Sequence, residues 1–120
     1  MEAEKVLVVD DSPTDLHLIT GYLANNGYTA MSASSGEEAL ARARLDKPDL
    51  ILMDIVMPGM NGYEATRALG KNPATASIPV MIISSKGQDT DKIWGMRQGA
   101  RGYLVKPISE QILIRKIRAL

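Results

Sequence analysis

The sequence predicts an α/β fold in which a five-stranded, doubly wound parallel sheet carries helices on both faces. Five short apolar runs, typical of strands buried on both faces, alternate with five segments that carry helix signals. Strands that alternate with helices of this length imply parallel pairing through right-handed crossovers. The chain of 120 residues fits one domain, residues 1–120, and leaves no room for a second.

The first strand is predicted at Lys5–Val9, a β-branched apolar run that stops at two aspartates. The first helix then opens with Ser12 as its N-cap and Pro13 in its first turn. Asn26, followed by a glycine, ends this helix. The residues of its buried stripe recur at helical spacing and are Leu16, Ile19 and Leu23.

The second strand is predicted at Tyr28–Ser32, a shorter and weaker run than the first. Ser35, with Glu38 three residues later, predicts a capping box at the start of the second helix. This helix is rich in alanine and runs to Leu45, before a Lys-Pro pair. The third strand, Leu50–Met53, is wholly apolar and suits the centre of the sheet.

The remaining elements follow the same rules. The third helix is predicted from Asn61, its N-cap, to Leu69, with Gly70 as its end. The other elements are the strand Val80–Ile83, the helix Asp89–Gln98, the strand Gly102–Val105 and a final helix that Ser109 caps and that reaches the end of the chain.

Composition excludes several classes of protein. Hydrophobic residues make up 45% of the chain and aromatic residues only 4%, so the core must be aliphatic and methionine-rich. Lys plus Arg (14) equals Asp plus Glu (14), which offers no electrostatic footprint for nucleic acid or an anionic membrane. Without cysteine, neither a disulfide nor a thiolate metal site is possible. No apolar run approaches the roughly 20 residues of a membrane span, and the N-terminus lacks a signal-peptide pattern, so we expect a cytoplasmic protein without membrane insertion.

Five chemically active side chains stand where predicted strands end. They are Asp10, Asp11, Asp54, Ser84 and Lys106. In a doubly wound sheet the first strand lies next to the third, so three carboxylates should converge, and a cation would relieve their repulsion. An all-oxygen cluster of this kind is the ligand set of Mg²⁺. With a lysine and a hydroxyl nearby, the arrangement suits a transferring phosphoryl group, for which Asp54 is the candidate nucleophile.

These motifs resemble the receiver domain of response regulators, the CheY-like family of two-component signalling, along essentially the whole chain. The matching residues are Asp10-Asp11 after VLVV, Asp54 within LMDIVMPGMNG, Ser84 after VMII and Lys106-Pro107 after GYLV. Each motif alone is weak, but their joint order is specific. The resemblance implies the flavodoxin-like strand order 2-1-3-4-5. It also implies a signalling domain that catalyses its own phosphorylation and slow dephosphorylation but is not a turnover enzyme.

At the acceptor, the resemblance implies that Asp54 takes a phosphoryl group from a phosphohistidine on a histidine kinase or a histidine phosphotransfer domain. It further implies that Asp11 binds Mg²⁺ directly and Asp10 largely through water. Asp54 itself and the backbone carbonyl of Val56 would complete the protein ligands. Lys106 is expected to contact a phosphate oxygen and to precede a cis peptide bond.

For signal output, the resemblance implies that Ser84 swings to hydrogen-bond the phosphate and that Tyr103 turns inward into the space vacated. The fourth helix, fifth strand and fifth helix would then present the surface that controls a protein partner. Val56 and Lys86 flank the expected path of the attacking water, so we predict that they set the phosphoryl lifetime, without a predicted direction. Asn61 replaces the more usual aspartate, but both residues cap helices.

A closer kinship is indicated by one segment, Asp89–Pro107. Its Trp94 and the run 97–101 resemble the stand-alone receivers of pilus-linked chemosensory systems that drive twitching motility. That resemblance implies a chemotaxis-type kinase with a histidine phosphotransfer domain as partner. The alternative is that the chain is the receiver segment of a larger regulator with a separate output domain.

Two other functions share the predicted topology. A flavodoxin-type cofactor binder needs a donor-bearing loop after the first strand, whereas Asp10-Asp11 would repel phosphate unless a metal intervened. An aspartate-nucleophile phosphatase usually carries Asp-x-Asp, the second carboxylate serving as acid and base. Here Val56 stands two residues after Asp54, so that role has no candidate.

Several residues also have plain structural explanations. Asp10-Asp11 could cap a helix, although a second carboxylate has no capping role. His17, the single histidine, lies beside the apolar stripe and is predicted to be a surface or half-buried side chain rather than a catalytic one. For Trp94, packing and partner contact are equally compatible with the sequence.

Overall fold

The computed structural model describes residues 5–120, in which five strands and five helices alternate. The first four residues of the predicted domain lie outside this range. The strands are β1 (Lys5–Val9), β2 (Thr29–Ala33), β3 (Leu50–Met53), β4 (Val80–Ser84) and β5 (Gly102–Val105). The helices are α1 (Pro13–Asn25), α2 (Gly36–Asp46), α3 (Gly62–Lys71), α4 (Asp89–Arg97) and α5 (Glu110–Arg118). Within residues 5–120, no helix combines the length and apolar character that crossing a membrane requires.

The five strands form one parallel sheet in the order β2-β1-β3-β4-β5, which confirms the predicted fold class. The chain crosses from β1 outward to β2 and then back past β1 to β3, so the winding reverses between β1 and β3. Val9 pairs with Met53 at the end of these two strands. The residues that follow them therefore meet at the carboxyl edge of the sheet, where ligands bind in this class of fold.

The core lies on both faces of the sheet because side chains alternate along each strand. In β1, Val6 and Val8 pack into a cluster with residues of α1 and α5, whereas Leu7 and Val9 pack into one with residues of α2 and α3. A third, smaller cluster of Ile55, Ile82 and Ala100 lies beneath α4 and includes the partly buried rings of Tyr63 and Tyr103. Helices cover both faces, as predicted.

The helix starts follow the capping signals, with one difference. Ser12, Asn61 and Ser109 are N-caps, and Asn61 forms a full capping box with Glu64. At α2 the Ser35 hydroxyl accepts a hydrogen bond from the amide of Glu38, but the Glu38 carboxylate accepts from the amide of Ser34 rather than Ser35. The predicted reciprocal box at Ser35 is therefore wrong in its second half, because the glutamate reaches one residue further back.

The end of α3 corrects another prediction, since the helix continues through Gly70 to Lys71. Gly70 is exposed, and a Cβ added there would have open space around it. A single glycine costs a helix only about 1 kcal/mol relative to alanine, so the helix can continue through it. The true end is Asn72, whose backbone is extended. Pro73 disfavours helical geometry in the residue before it, which explains why the helix stops there.

Candidate functional site

Three carboxylates gather at the carboxyl edge of the sheet, between the ends of β1 and β3. Asp10 and Asp11 follow β1 and Asp54 follows β3. The backbone fixes the first and last of these, because the amide of Asp10 donates to the Ala33 carbonyl and that of Asp54 to the Val9 carbonyl. One oxygen from each carboxylate lies within 4.8 Å of the others. Asp10 is 2% exposed and Asp54 8%, whereas Asp11 is open to solvent.

Lys106 brings a positive charge to this group from the end of β5. Its Nζ lies 2.7 Å from Oδ2 of Asp10, 2.8 Å from Oδ2 of Asp15 and 3.6 Å from Oδ1 of Asp54. Burial lowers the pKa of Lys106, but hydrogen bonds to Asp10 and Asp15 outweigh it and hold that pKa above its ordinary value. The ammonium is therefore charged throughout the physiological range. The peptide bond from Lys106 to Pro107 is cis.

Asp54 lies in surroundings that work against its charge. Burial first, and the neighbouring charge of Asp10 second, raise the pKa of Asp54 from 3.8 to about 6. Lys106 and the backbone amide of Ile55 act in the opposite direction without overcoming them. Three carboxylates, those of Asp10, Asp15 and Asp54, thus lie within 3.6 Å of the Lys106 ammonium. Asp11 lies beside two of them, Asp10 and Asp54.

The donor set of this cluster fits a divalent cation. Like charges this close repel, and a bound cation would remove the repulsion that raises the Asp54 pKa. All the available ligands are hard oxygen atoms, which favours Mg²⁺ over softer metals. Within the described residues, no group donates a hydrogen bond to the backbone carbonyl of Val56, so that oxygen is available as a further ligand.

The two residues expected to switch are neighbours in the structure. Ser84, at the end of β4, is fully buried, and its hydroxyl accepts a hydrogen bond from the amide of Lys86 rather than contacting a carboxylate. The hydroxyl of Tyr103 donates to the carbonyl of Lys86 at 2.6 Å. Burial, and next the neighbouring Tyr63 hydroxyl, raise the pKa of Tyr103, whereas a hydrogen bond with the Ser84 hydroxyl lowers it. The half-buried Tyr103 side chain is therefore directed toward the loop after β4.

Val56 and Lys86 differ from the other predicted residues because their side chains lie on the surface. Val56 is 57% exposed beside the acceptor strand, and Lys86 is exposed in the loop after β4. His17 is exposed on α1, as the sequence predicts for a histidine without a catalytic role. The structure thus gathers Asp10, Asp11, Asp54 and Lys106. The side chains of Val56 and Lys86 remain exposed to solvent.

Asp15 is the site residue that sequence reasoning missed. From the sequence alone, Asp15 is only a favourable charge in the first turn of the first helix. In the structure its carboxylate accepts a hydrogen bond from the ammonium of Lys106. The sequence does give one indication of its place. Asp15 follows the N-cap Ser12 within the first turn of α1, and it therefore lies about one helical turn from the pair Asp10-Asp11. No local pattern specifies that Lys106, 91 positions later, would reach it.

The surface of α4, β5 and α5 carries several exposed apolar side chains. They are Ile93, Trp94, Met96, Val105 and Ile112. Trp94 is 49% exposed, so packing accounts for only part of its surface. Exposed apolar side chains of this size, where they adjoin, are typical of surfaces that bind another protein.

An acidic cluster with a lysine at the carboxyl edge of a 2-1-3-4-5 parallel sheet defines the receiver class of signalling domain. Residues 6–118 match the family described as response regulator receiver domain, so the chain belongs to that family. Members of this family are signalling domains of two-component systems that bind Mg²⁺ at the acidic pocket and interact with histidine kinases and downstream targets.

Among individual relatives, the chain is 50% identical to Protein PilH of Pseudomonas aeruginosa over 116 residues, covering 97% of this chain and 96% of that protein. Because the match spans nearly the whole of both chains, it confirms the predicted kinship with this kind of stand-alone receiver. The chain is 39% identical to the response regulator PleD of Caulobacter vibrioides, of which it spans only 26%. The solved structure of the chemotaxis protein CheY4 of Vibrio cholerae superposes with a TM-score of 0.92 at 31% identity and 98% coverage of both chains.

Proposed function

We propose that this chain is a phosphoacceptor of a two-component phosphorelay in which Asp54 receives a phosphoryl group from a phosphohistidine. The observation that carries the proposal is the buried Asp54 carboxylate within 4.8 Å of two other carboxylates and 3.6 Å from the Lys106 ammonium. A nucleophilic carboxylate, a cation site and a fixed ammonium are the groups that phosphoryl transfer uses. The donor would be a histidine kinase or a histidine phosphotransfer domain.

In the proposed step, an oxygen of the ionised Asp54 attacks phosphorus. A phosphorus–oxygen bond forms, the phosphorus–nitrogen bond to the imidazole breaks, and the leaving nitrogen takes the electron pair. Lys106 faces the transferring oxygens, and Ser84 would leave its bond with the Lys86 amide to donate to them. Mg²⁺, held by Asp10, Asp11, Asp54 and the Val56 carbonyl, with Asp10 acting largely through water, would neutralise phosphoryl charge when bound.

The proposal is tested by forming a stable adduct. The chain is mixed with Mg²⁺ and beryllofluoride or a small-molecule phosphodonor, and adduct formation is followed by fluorine NMR and intact-mass spectrometry. We expect an adduct in the parent and none in Asp54→Ala or without Mg²⁺. An adduct that persists in Asp54→Ala, or a parent that forms none, would falsify the proposal.

We further propose that the modified acceptor acts on a protein partner through the surface of α4, β5 and α5. Ser84 and Tyr103 would transmit the change, since both make hydrogen bonds to Lys86 in the loop that leads into α4. Hydrogen exchange tests this step: beryllofluoride should alter exchange in residues 84–118 of the parent but less in Tyr103→Ala. Equal changes in both proteins would remove Tyr103 from the switch.

The pathway proposed for this output is pilus motility or chemosensory control, in the cytoplasm. Its support is the match to PilH along nearly the whole of both chains. A partner that is a protein rather than nucleic acid or membrane agrees with the balanced charge. The domain would span residues 1–120 and act by binding, without substrate turnover.

The phosphoryl lifetime is proposed to depend on Val56 and Lys86, the exposed side chains at the rim of the acceptor. The decay rate of phosphorylated protein should differ from the parent in Val56→Asn, in Lys86→Glu or in both. Arg101→Gln, an exposed substitution at the start of β5 and away from this edge, is the control. Identical decay in all four proteins would contradict the proposal.

The alternative context, a receiver segment within a larger regulator, has one observation in its favour. In PleD the matched region is 26% of the protein. The size of the endogenous protein, measured with an antibody raised against this chain, separates the two contexts. A species of about this mass, 13.0 kDa, supports the stand-alone form, and a larger one supports the segment.

A further inference from the structure

Lys106 is held by a carboxylate outside the three that would bind the metal. Its ammonium lies at hydrogen-bond distance from Asp10 and Asp15, at 2.7 and 2.8 Å, but 3.6 Å from Asp54. The last distance is too long for a hydrogen bond. A lysine has three donors, and two of them are therefore committed to the β1–α1 side of the site.

Asp15 is built into a fixed position but remains partly open to water. Its backbone amide donates to the Ser12 hydroxyl at the N-cap of α1, so the carboxylate projects from an ordered first turn. The side chain is 37% exposed, against 18% for Lys106. An ion pair this accessible is weak enough to be exchanged for a better partner, whereas a fully buried pair is not.

We propose that Asp15 is a positioning residue of the phosphoryl-transfer site, which holds Lys106 toward α1 and competes with phosphoryl oxygens for its ammonium. This inference rests on the proposed function. A phosphoryl group on Asp54 brings additional negative charge beside Lys106, and the lysine must leave Asp15, in whole or in part, to meet it. Asp15 thereby sets how readily the modified acceptor recruits its lysine.

The test is the beryllofluoride concentration that half-saturates the protein at saturating Mg²⁺, measured by fluorine NMR. Because Asp15→Asn removes the competing carboxylate, we expect half-saturation at a concentration about two- to fivefold lower than in the parent. Asp15→Glu retains a carboxylate on the same helix and should restore behaviour close to the parent. A purely structural role would not produce this gain and its rescue.

Glu37→Gln is the charge-matched control. Glu37 is an exposed carboxylate at the same edge, beside Gly59 in the loop after β3, without an ion pair to Lys106. We expect half-saturation in this variant to match the parent. Unchanged or weaker binding in Asp15→Asn, or an equal gain in Glu37→Gln, overturns the role of Asp15. A parent that forms no adduct contradicts the phosphoacceptor proposal instead, so the two failures are distinguishable.

Discussion

Burial and a neighbouring like charge act together on the Asp54 carboxylate. Their effect, a pKa raised to about 6, means that ionising this group costs free energy in the folded chain. Lys106 offsets only part of that cost, because its two short bonds go to Asp10 and Asp15. The residue best placed to act as nucleophile is thus also one whose charge destabilises the metal-free fold.

Removing the charge of Asp54 should stabilise the metal-free protein at neutral pH. Between pH 3.8 and about 6 the folded chain binds more protons at this site than the unfolded chain, so stability falls as pH rises through that window. In buffer with a chelator and above pH 6, we expect the free energy of unfolding of Asp54→Asn to exceed that of the parent by about 1–3 kcal/mol. The advantage should vanish below about pH 4. Urea unfolding across this range measures it, and an advantage independent of pH would contradict the assigned cause.

The sequence predicts the position of some site residues but not of others. Asp10, Asp11, Asp54 and Lys106 could be placed together because each directly follows a strand, and strand ends of a parallel sheet share one edge. Asp15 could not, because its pairing with Lys106 depends on how far one lysine side chain reaches. The direction of the Tyr103 side chain toward the Lys86 carbonyl likewise depends on rotamer choice, which alternation along a strand does not determine.

Among the helices, α3 contains two glycines with opposite requirements. At Gly62 an added Cβ would overlap the backbone carbonyl of Asp54, whereas Gly70 has open space around it. The start of α3 therefore touches the acceptor residue through a position where only hydrogen fits. The two glycines look alike in sequence, since the contact that separates them comes from another part of the chain.

Alanine at these two positions should have effects of opposite sign. Gly62→Ala must push α3 away from the end of β3, and we expect a loss of about 3 kcal/mol or more in unfolding free energy. Gly70→Ala removes a flexible residue from an exposed helical position and should gain about 0.5–1 kcal/mol. Chemical denaturation of both variants checks the pair. Similar effects in the two proteins would mean that the contact with Asp54 does not restrict Gly62.

The attachment of α4 depends on few groups. Gly95 is its single buried residue, and a Cβ there would meet the Ile82 side chain and the Tyr103 ring. Tyr63, on α3, donates a hydrogen bond to the Asp91 carbonyl in the first turn of α4. A helix held by one buried residue and one side-chain bond is expected to open more easily than its neighbours.

Tyr63→Phe should loosen α4 without changing the rest of the fold. The ring would remain in its apolar cluster, while the bond to Asp91 is lost, so local opening around residues 89–95 should become easier by about 0.5–1.5 kcal/mol. Hydrogen exchange of these amides measures the change. Tyr28→Phe is the control, because the Tyr28 ring packs on the opposite face and its hydroxyl bonds no described residue. Equal protection of α4 in Tyr63→Phe and the parent would show that the bond contributes nothing.

For the whole molecule, the fold could be predicted because every level of the sequence agrees. Strand and helix signals alternate five times along the sequence. Because crossover connections between parallel strands are right-handed, only a few sheet topologies fit such a sequence. The observed bounds differ from the predicted bounds by one or two residues at β2, at β4 and at several helix ends. At such ends a local feature, such as Pro73 after α3, determines the last residue of the element. The charge state of the acidic edge is a collective property, since it depends on β1, β3, β5 and α1 together.

That collective charge leads to a prediction for the intact protein. If the acidic cluster binds Mg²⁺, the folded state alone should bind it, and the free energy of unfolding should rise by about 1.4 kcal/mol for each tenfold excess of Mg²⁺ over its dissociation constant. Asp11→Asn should lose most of this gain, because it removes one carboxylate of the trio. Asp46→Asn, which removes a partly exposed carboxylate paired with Arg42 at the opposite edge of the sheet, should keep it. Thermal unfolding measures the gain, with Na⁺ replacing Mg²⁺ at constant ionic strength as the reference. If Asp11→Asn and Asp46→Asn respond equally to Mg²⁺, the stabilisation comes from general screening of charge and not from this site.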